Sequence, residues 1–330
     1  MGPGDKHPAG KTSAAASITF DIVSKDGDAT PETLSDRRSI VTSLVLRTLD
    51  GRTCDALLQH PAAVAVPDAR LVLMVHGSGS SHTQAPQADL GRRLAARGVA
   101  SLAFDTRQHD DGMCTDNFYA IRHDIDAAMF TARALGYRRL FLQGHSLGNI
   151  QVQFYAATNW DEDICGVILL AAFANLPWKT KNILVRNDAQ FDRLIVEALA
   201  AVRGGDPAKR LDTPIIYYDG SSGAVTAQHF LTYRFEQTSM ADGTQWIKRV
   251  PYPMLIVRNA SDSLIADWET AALVEAAKSD ASLVRSLECV TLPSSLPASL
   301  DGHSFVGNEE ALAETLYRWL DKIDATKPTR

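Results

Sequence analysis

From Ser39 onward, short apolar runs alternate with stretches of helical period along most of the chain. Residues 39–49 and 53–59 alternate apolar and polar positions around Asp50-Gly51, which predicts a hairpin of two half-exposed strands. Residues 71–75 are continuously apolar, as a strand covered on both faces of a parallel sheet must be. The same alternation predicts helix over 87–97, ended by Gly98, and strand over 99–104. Helix follows over 117–135, ended by Gly136, then strand over 139–142, helix over 147–158 and strand over 166–172. After a pause the pattern resumes with strand at 253–257, helix at 268–277, strand at 287–292 and helix at 309–323. Strands alternating with helices imply an α/β fold, a mostly parallel central sheet wrapped by helices, with the hairpin at one edge. No internal repeat is evident.

The pause covers residues 175–246. It holds no clear strand–helix order, yet it contains Trp178, Phe191, Tyr217, Tyr218, Phe230, Tyr233 and Phe235. An inserted cap, on the side where the carboxyl ends of the strands open, accounts for both features. Its aromatic side chains either face an apolar pocket or form the cap's own small core. The expected organisation is a flexible tail over 1–38, a core over 39–174 and 247–324, the cap over 175–246, and a short tail over 325–330.

Composition narrows the function classes. With 330 residues, 45% of them hydrophobic, the chain can bury one large core. Its formal net charge is -6, and Lys and Arg are dispersed with no basic stripe, so nucleic acid and anionic membrane surfaces are not expected partners. Residues 1–17 carry no continuous apolar stretch, and no run is long enough to span a bilayer. A cytoplasmic location is expected. Cys54, Cys114, Cys165 and Cys289 lie far apart without a C-x-x-C pair, which argues against metal and redox motifs and for reduced, mostly buried thiols.

Chemistry concentrates at Gly144-His145-Ser146-Leu147-Gly148, a G-x-S-x-G between a predicted strand and a predicted helix. A sharp strand-to-helix turn crowds the backbone around the serine, so both flanking positions need residues without Cβ. Such a turn lifts Ser146 Oγ clear of the sheet and sets nearby amides at a helix N-terminus, where a developing oxyanion is favoured. In this context the chain resembles the α/β-hydrolase superfamily, in its serine esterase and lipase branch, over roughly residues 40 to 323. In that superfamily a His-Gly turn follows the third strand and supplies one backbone N–H to the oxyanion, and the residue after the nucleophile supplies the other. Here His76-Gly77-Ser78-Gly79 closes a buried strand. The resemblance therefore implies an oxyanion hole of the Ser78 and Leu147 amides, with Gly79 an alternative to Ser78. Gly77 and Gly79 also spell G-x-G, but no third glycine and no P-loop lysine follows, so a nucleotide site is not expected.

The superfamily's order is serine, then acid, then histidine, the last two on loops after late strands. Asp262 follows the predicted strand at 253–257, and His303 follows that at 287–292. Ser146 needs a base, because its hydroxyl is a poor nucleophile at neutral pH. His303 would supply it, and Asp262 would hold its tautomer. Asp301, the rival acid, stands two residues from His303, too close in sequence to align well with the ring. His109-Asp110-Asp111 offers ligand types, but adjacent residues rarely converge on one ion, so neither a metal nor a cofactor is expected. The implied chemistry is acyl transfer to Ser146 from an ester, lactone or thioester, on a small and preferably apolar or aromatic acyl substrate. A carbon–carbon bond beside a ketone is an alternative, and a non-catalytic ligand-binding protein on the same fold is another.

Overall fold

The computed structural model describes residues 21–24, 39–185, 187–216 and 221–325. Its strands are β1 (Asp21–Ser24), β2 (Ser39–Arg47), β3 (Thr53–Pro61), β4 (Arg70–Val75), β5 (Ala100–Phe104), β6 (Arg139–His145) and β7 (Ile164–Leu170). A two-residue hairpin, β8 (Ile215–Ile216) with β9 (Ser222–Gly223), precedes β10 (Met254–Asn259) and β11 (Leu287–Leu292). Apart from that hairpin they form one 9-stranded sheet, in the order β1-β2-β3-β5-β4-β6-β7-β10-β11. The pairs from β1 to β5 are antiparallel, and every pair from β5 across to β11 is parallel. The mostly parallel sheet read from the sequence is thus present, with the hairpin on its flank. Residues 21–24 lie within the stretch expected as a tail and pair with β2. Residues 1–20, 25–38 and 326–330 are outside the described residues.

Burial explains the two kinds of strand. All seven residues of β7 are buried, as are Leu71 to Val75 of β4, because helices cover both faces. In β2, Leu44 and Leu46 are buried while Arg47 is exposed, the alternation of a strand covered on one face. The covering helices include α1 (Gln87–Ala95), α2 (Ile121–Ala134) and α3 (Leu147–Thr158). Gly98 and Gly136 follow α1 and α2 at φ +82° and +102°, a region that other residues enter only with strain. The helix expected from residue 117 begins at Ile121, because Asn117 accepts the Ala120 amide and caps a 3₁₀ turn first.

Between β7 and β10 the chain forms α4 (Leu176–Lys179), α5 (Asp188–Arg203), α6 (Ala227–His229) and α7 (Gly243–Ile247), with π-helical turns at Thr180–Val185 and Phe230–Arg234. The segment leaves and returns at one place: Leu176 N donates to Ala241 O (3.0 Å) and Gly243 N to Ala174 O (2.8 Å). It has its own apolar cluster, in which Phe191, Leu194 and Ala198 of α5 meet Leu211, Ile215, Val225 and Phe230, with Cys114 of the main body at its border. The 16-residue α5 falls where no element was expected. Its signals were present: Asn187 caps Gln190 N, and Phe191, Leu194, Ala198 and Ala201 share one buried face. Then α8 (Asp267–Lys278), α9 (Leu300–His303) and α10 (Glu309–Ala325) complete the fold. All four cysteines are free, three buried and Cys289 exposed. Among the described residues no helix is long and apolar enough to cross a membrane.

Candidate active site

Strand β6 passes into α3 through the G-x-S-x-G turn, and Ser146 sits at its apex with φ 52° and ψ -118°. Such a conformation costs a non-glycine residue on the order of 1–3 kcal/mol and persists only where surrounding contacts impose it. Here Ser146 N donates to Leu170 O (3.0 Å) at the end of β7. A Cβ on Gly144 would stand 2.6 Å from Asn149 N, and one on Gly148 would stand 2.8 Å from His76 O. Both neighbours are backbone and cannot yield. Leu147, as the first residue of α3, has an amide with no partner inside the helix.

The turn after β4 lies against this apex. A Cβ on Gly77 would be 3.0 Å from Ser146 Cβ and 3.5 Å from Ser146 Oγ. Thr106 N donates to His76 Nε2 (2.9 Å), so Nδ1 carries the proton and donates to Gly77 O (2.6 Å). Burial holds the His76 imidazole down to about 4, so it stays neutral in this role. The next amides differ. Gly79 N donates to Gln108 O (2.9 Å), whereas the Ser78 amide meets no acceptor among the described residues. His109 Nδ1 donates to Ser80 O (3.0 Å), so the loop after β5 fastens this turn at several points.

The late loops meet the elbow from the other side. His303 Nδ1 donates to Asp262 Oδ2 (2.9 Å), and both side chains are buried. Asp262 Oδ1 accepts from Leu264 N (2.7 Å) and Ile265 N (3.1 Å). Burial pushes the Asp262 carboxyl up, but the hydrogen bond and charge of His303 and the two amides outweigh it, leaving the group below the ordinary carboxylate range. The Asp262 bond leaves His303 Nε2 as the nitrogen free to act as a base. His145 Nε2 donates to the carbonyl of His303 (3.0 Å), and the two rings lie 5.0 Å apart. The His303 loop is therefore tied directly to the residue beside Ser146. Burial drives His145 down to about 3, the nearby His303 adding to the effect, so His145 is a neutral donor. Asp301 is exposed.

Residues 67–288 match the model of the serine aminopeptidase S33 family. The chain belongs to that family. This S33 member carries Ser146 and Asp262 inside the matched region and His303 beyond it. It is an α/β-hydrolase, and its structure is similar to that of Est1E from Butyrivibrio proteoclasticus with bound ferulic acid. The TM-score is 0.63 at 18% identity, covering 86% of this chain and 99% of that one. It is also similar to the α/β-hydrolase GrgF from Penicillium sp. sh18 (TM-score 0.61, 16% identity, 86% and 98% covered). A Pyrococcus furiosus esterase gives a TM-score of 0.56 at 14% identity, with 94% and 99% covered. At such identities the likeness is one of fold. Among curated proteins, none matches this S33 member in sequence.

Several parts of the site were not read from the sequence. The bond from His145 to the His303 carbonyl has no sequence signal. Gly302 N is capped by Ser299 Oγ (3.1 Å), and a Cβ on Gly302 would meet Ser261 Oγ at 2.7 Å. Of the aromatic residues in 175–246, Phe191 and Phe230 pack edge to face in the segment's own cluster, and Tyr233 is buried against Phe118. Trp178 stands exposed against Trp268, their ring centroids 4.8 Å apart. Tyr217 and Tyr218 lie outside the described residues. Among the described residues no group of His, Cys, Asp and Glu could hold a metal ion.

Proposed function

We propose that this S33 member is a serine hydrolase that cleaves a carboxylic ester-like bond through an acyl-enzyme on Ser146. The observation that carries the reading is the buried Asp262–His303 hydrogen bond, on a loop tied to the nucleophile turn through His145. His303 Nε2 takes the proton from Ser146 Oγ as the oxygen attacks the carbonyl carbon. The tetrahedral oxyanion is held by the amides of Leu147 and Ser78. Engagement of Gly79 N by Gln108 O favours Ser78 over Gly79. His303 then passes the proton to the leaving group. Water, deprotonated by the same ring, attacks the acyl-enzyme and releases the acid and Ser146.

The substrate in this reading is a small ester, lactone or thioester. An aromatic acyl group is the first to try, because Est1E, the neighbour on the same fold, holds ferulic acid. Residues 175–246 act as a cap over the site, a role supported by their common exit and return beside the strand ends. Free cysteines fit a reducing, cytoplasmic setting. The test is labelling with a fluorophosphonate beside turnover of p-nitrophenyl esters, an amino-acid p-nitroanilide and a vinylogous diketone. Wild-type protein should label, Ser146→Ala should not, and ester turnover should vanish in the variant while it remains folded. A folded wild-type chain that neither labels nor turns over esters refutes the reading. Preference for the diketone would move the reaction to carbon–carbon cleavage.

A further inference from the structure

One buried ion pair lies outside this machinery and is built from two distant parts of the chain. Lys179, the last residue of α4, reaches from the inserted segment to Glu269 in the first turn of α8, Nζ to Oε2 at 2.6 Å. The two side chains are only 8% and 2% exposed, so both charges are withdrawn from water, at a cost that attraction alone barely offsets. Glu269 has a local task, since its Oε2 also accepts the Ala266 amide (3.1 Å) and caps α8. That task needs no lysine, and a capping glutamate is equally served by solvent. What Lys179 adds is its other bond, from Nζ to the carbonyl of Leu264 (2.6 Å).

Leu264 is the residue whose amide holds Asp262. Its N–H and that of Ile265 donate to Asp262 Oδ1, while Asp262 Oδ2 receives His303 Nδ1–H. Lys179 therefore grips the stretch 264–266 at both ends, at Leu264 O directly and at Ala266 N through Glu269. The same contact is closed on its outer side by Trp178 against Trp268. The rest of the loop is held within the main body, by Arg258 to Ile265 O and by Ser263 N to Ser299 O. Among the described contacts, the Lys179 grip is the one through which the inserted segment reaches the acid.

We propose that Lys179 is a positioning residue that couples docking of the inserted segment to the placement of Asp262, and through it to the alignment of the His303 ring. This rests on the assignment of Asp262 and His303 as acid and base. With the segment seated, the 264–266 stretch is fixed and the Leu264 and Ile265 amides point at the carboxylate. Without the grip the stretch relaxes, Asp262 turns, and the imidazolium that forms during attack loses part of its stabilisation. Loss of alignment by about 1 Å at a reacting group lowers rates by about a hundredfold, so a partial loss here predicts a drop between about tenfold and a hundredfold.

The test uses the full chain and a p-nitrophenyl ester. Lys179→Met alone strands the buried Glu269 charge and would confound folding with function, so the informative variant is Lys179→Met/Glu269→Gln. It removes both charges and keeps a side-chain acceptor for Ala266 N. The expected result is a melting temperature near that of wild type, kcat down by about tenfold or more with KM little changed, and the acid limb of the kcat/KM profile moved to lower pH as His303 loses its partner. A pair with only a structural role would leave that limb where it is. Wild-type kcat and an unmoved limb in the folded double variant overturn the proposal. If the double variant does not fold, Lys179→Leu/Glu269→Gln, which also removes both charges but places a shorter apolar side chain at 179, is held to the same two readouts with the same overturning result. Asp262→Ala and Ser146→Ala are run alongside. If these retain turnover, the assignment of the site has failed; if they abolish it while the Lys179 variants behave as wild type, only the coupling has.

Discussion

Replacing Gly302 by alanine tests how closely the His303 loop must approach the Asp262 loop. Gly302 immediately precedes His303 and is not among the residues of positive φ, so alanine is acceptable to the backbone itself. The obstacle is the facing chain. An added Cβ would stand 2.5 Å from Ser261 C and 2.7 Å from Ser261 Oγ, and closer still to Ser261 O. Carbon atoms pack at about 3.5–4.0 Å, so the two loops must part by about 1 Å. Asn259 Nδ2, which donates to Gly302 O (2.8 Å), and Ser299 N, which donates to Ser261 O (2.9 Å), pull them together. Parting by that amount would stretch the 2.9 Å bond between His303 and Asp262 beyond hydrogen-bond length. We expect Gly302→Ala to lose about 1–3 kcal/mol of stability through overpacking. Activity should fall further, by about a hundredfold in kcat. Thermal melting, ester turnover and the rate of fluorophosphonate labelling would be measured on one preparation. A folded Gly302→Ala with wild-type kcat would refute the claim that this approach sets the pair's geometry.

Other consequences follow from the same structure. Burial holds His76 and His145 neutral, down to about 4 and about 3, and holds His229 low as well, whereas all three protonate freely near 6.5 once unfolded. Stability should therefore be full above pH 6.5 and decline as pH falls toward 4, with a slope approaching about 1.4 kcal/mol per pH unit for each histidine. Urea unfolding at pH 7, 6 and 5 measures it, and a flat profile would contradict the burial argument. Gly148→Ala should prevent the elbow from forming, because its Cβ would meet the backbone of both Val75 and His76; soluble, labelling-competent protein would count against this. Asp124, fully buried, takes the Arg107 amide (2.8 Å) and the Arg107 guanidinium (2.7 Å); Asp50 also holds that guanidinium (3.0 Å), so Asp124→Ala should cost about 1–3 kcal/mol, chiefly by leaving the Arg107 amide without its acceptor. A loss under about 1 kcal/mol in denaturant titration would show that water reaches that site.

Much of the fold and the core of the candidate site could be read along the chain, for local reasons. The continuous apolar run of β4 and the half-covered alternation of β2 are direct imprints of two-sided and one-sided burial. Gly144 and Gly148 stand where backbone meets backbone, and so they mark the turn by what they lack. Helix α5 was also legible from its cap and buried face, but the lack of a neighbouring strand in the pattern obscured it. Other features depend on which loops come together in space. The Ser78 amide stays open and that of Gly79 does not, because Gln108, far along the chain, supplies its carbonyl to Gly79 alone. His145 reaches the His303 carbonyl across 158 positions, and Lys179 reaches Leu264 across 85. The sequence by itself determined the mostly parallel sheet and the glycine-flanked turn at Ser146, because periodicity and missing side chains are local properties; the places of Asp262 and His303 came from the resemblance to α/β-hydrolases. Only the tertiary structure decided which of the Ser78 and Gly79 amides stays open, that His145 meets the His303 carbonyl and that Lys179 meets the Leu264 carbonyl. Those are hydrogen bonds between groups far apart in the chain, and no spacing along it specifies where a donor finally meets its acceptor.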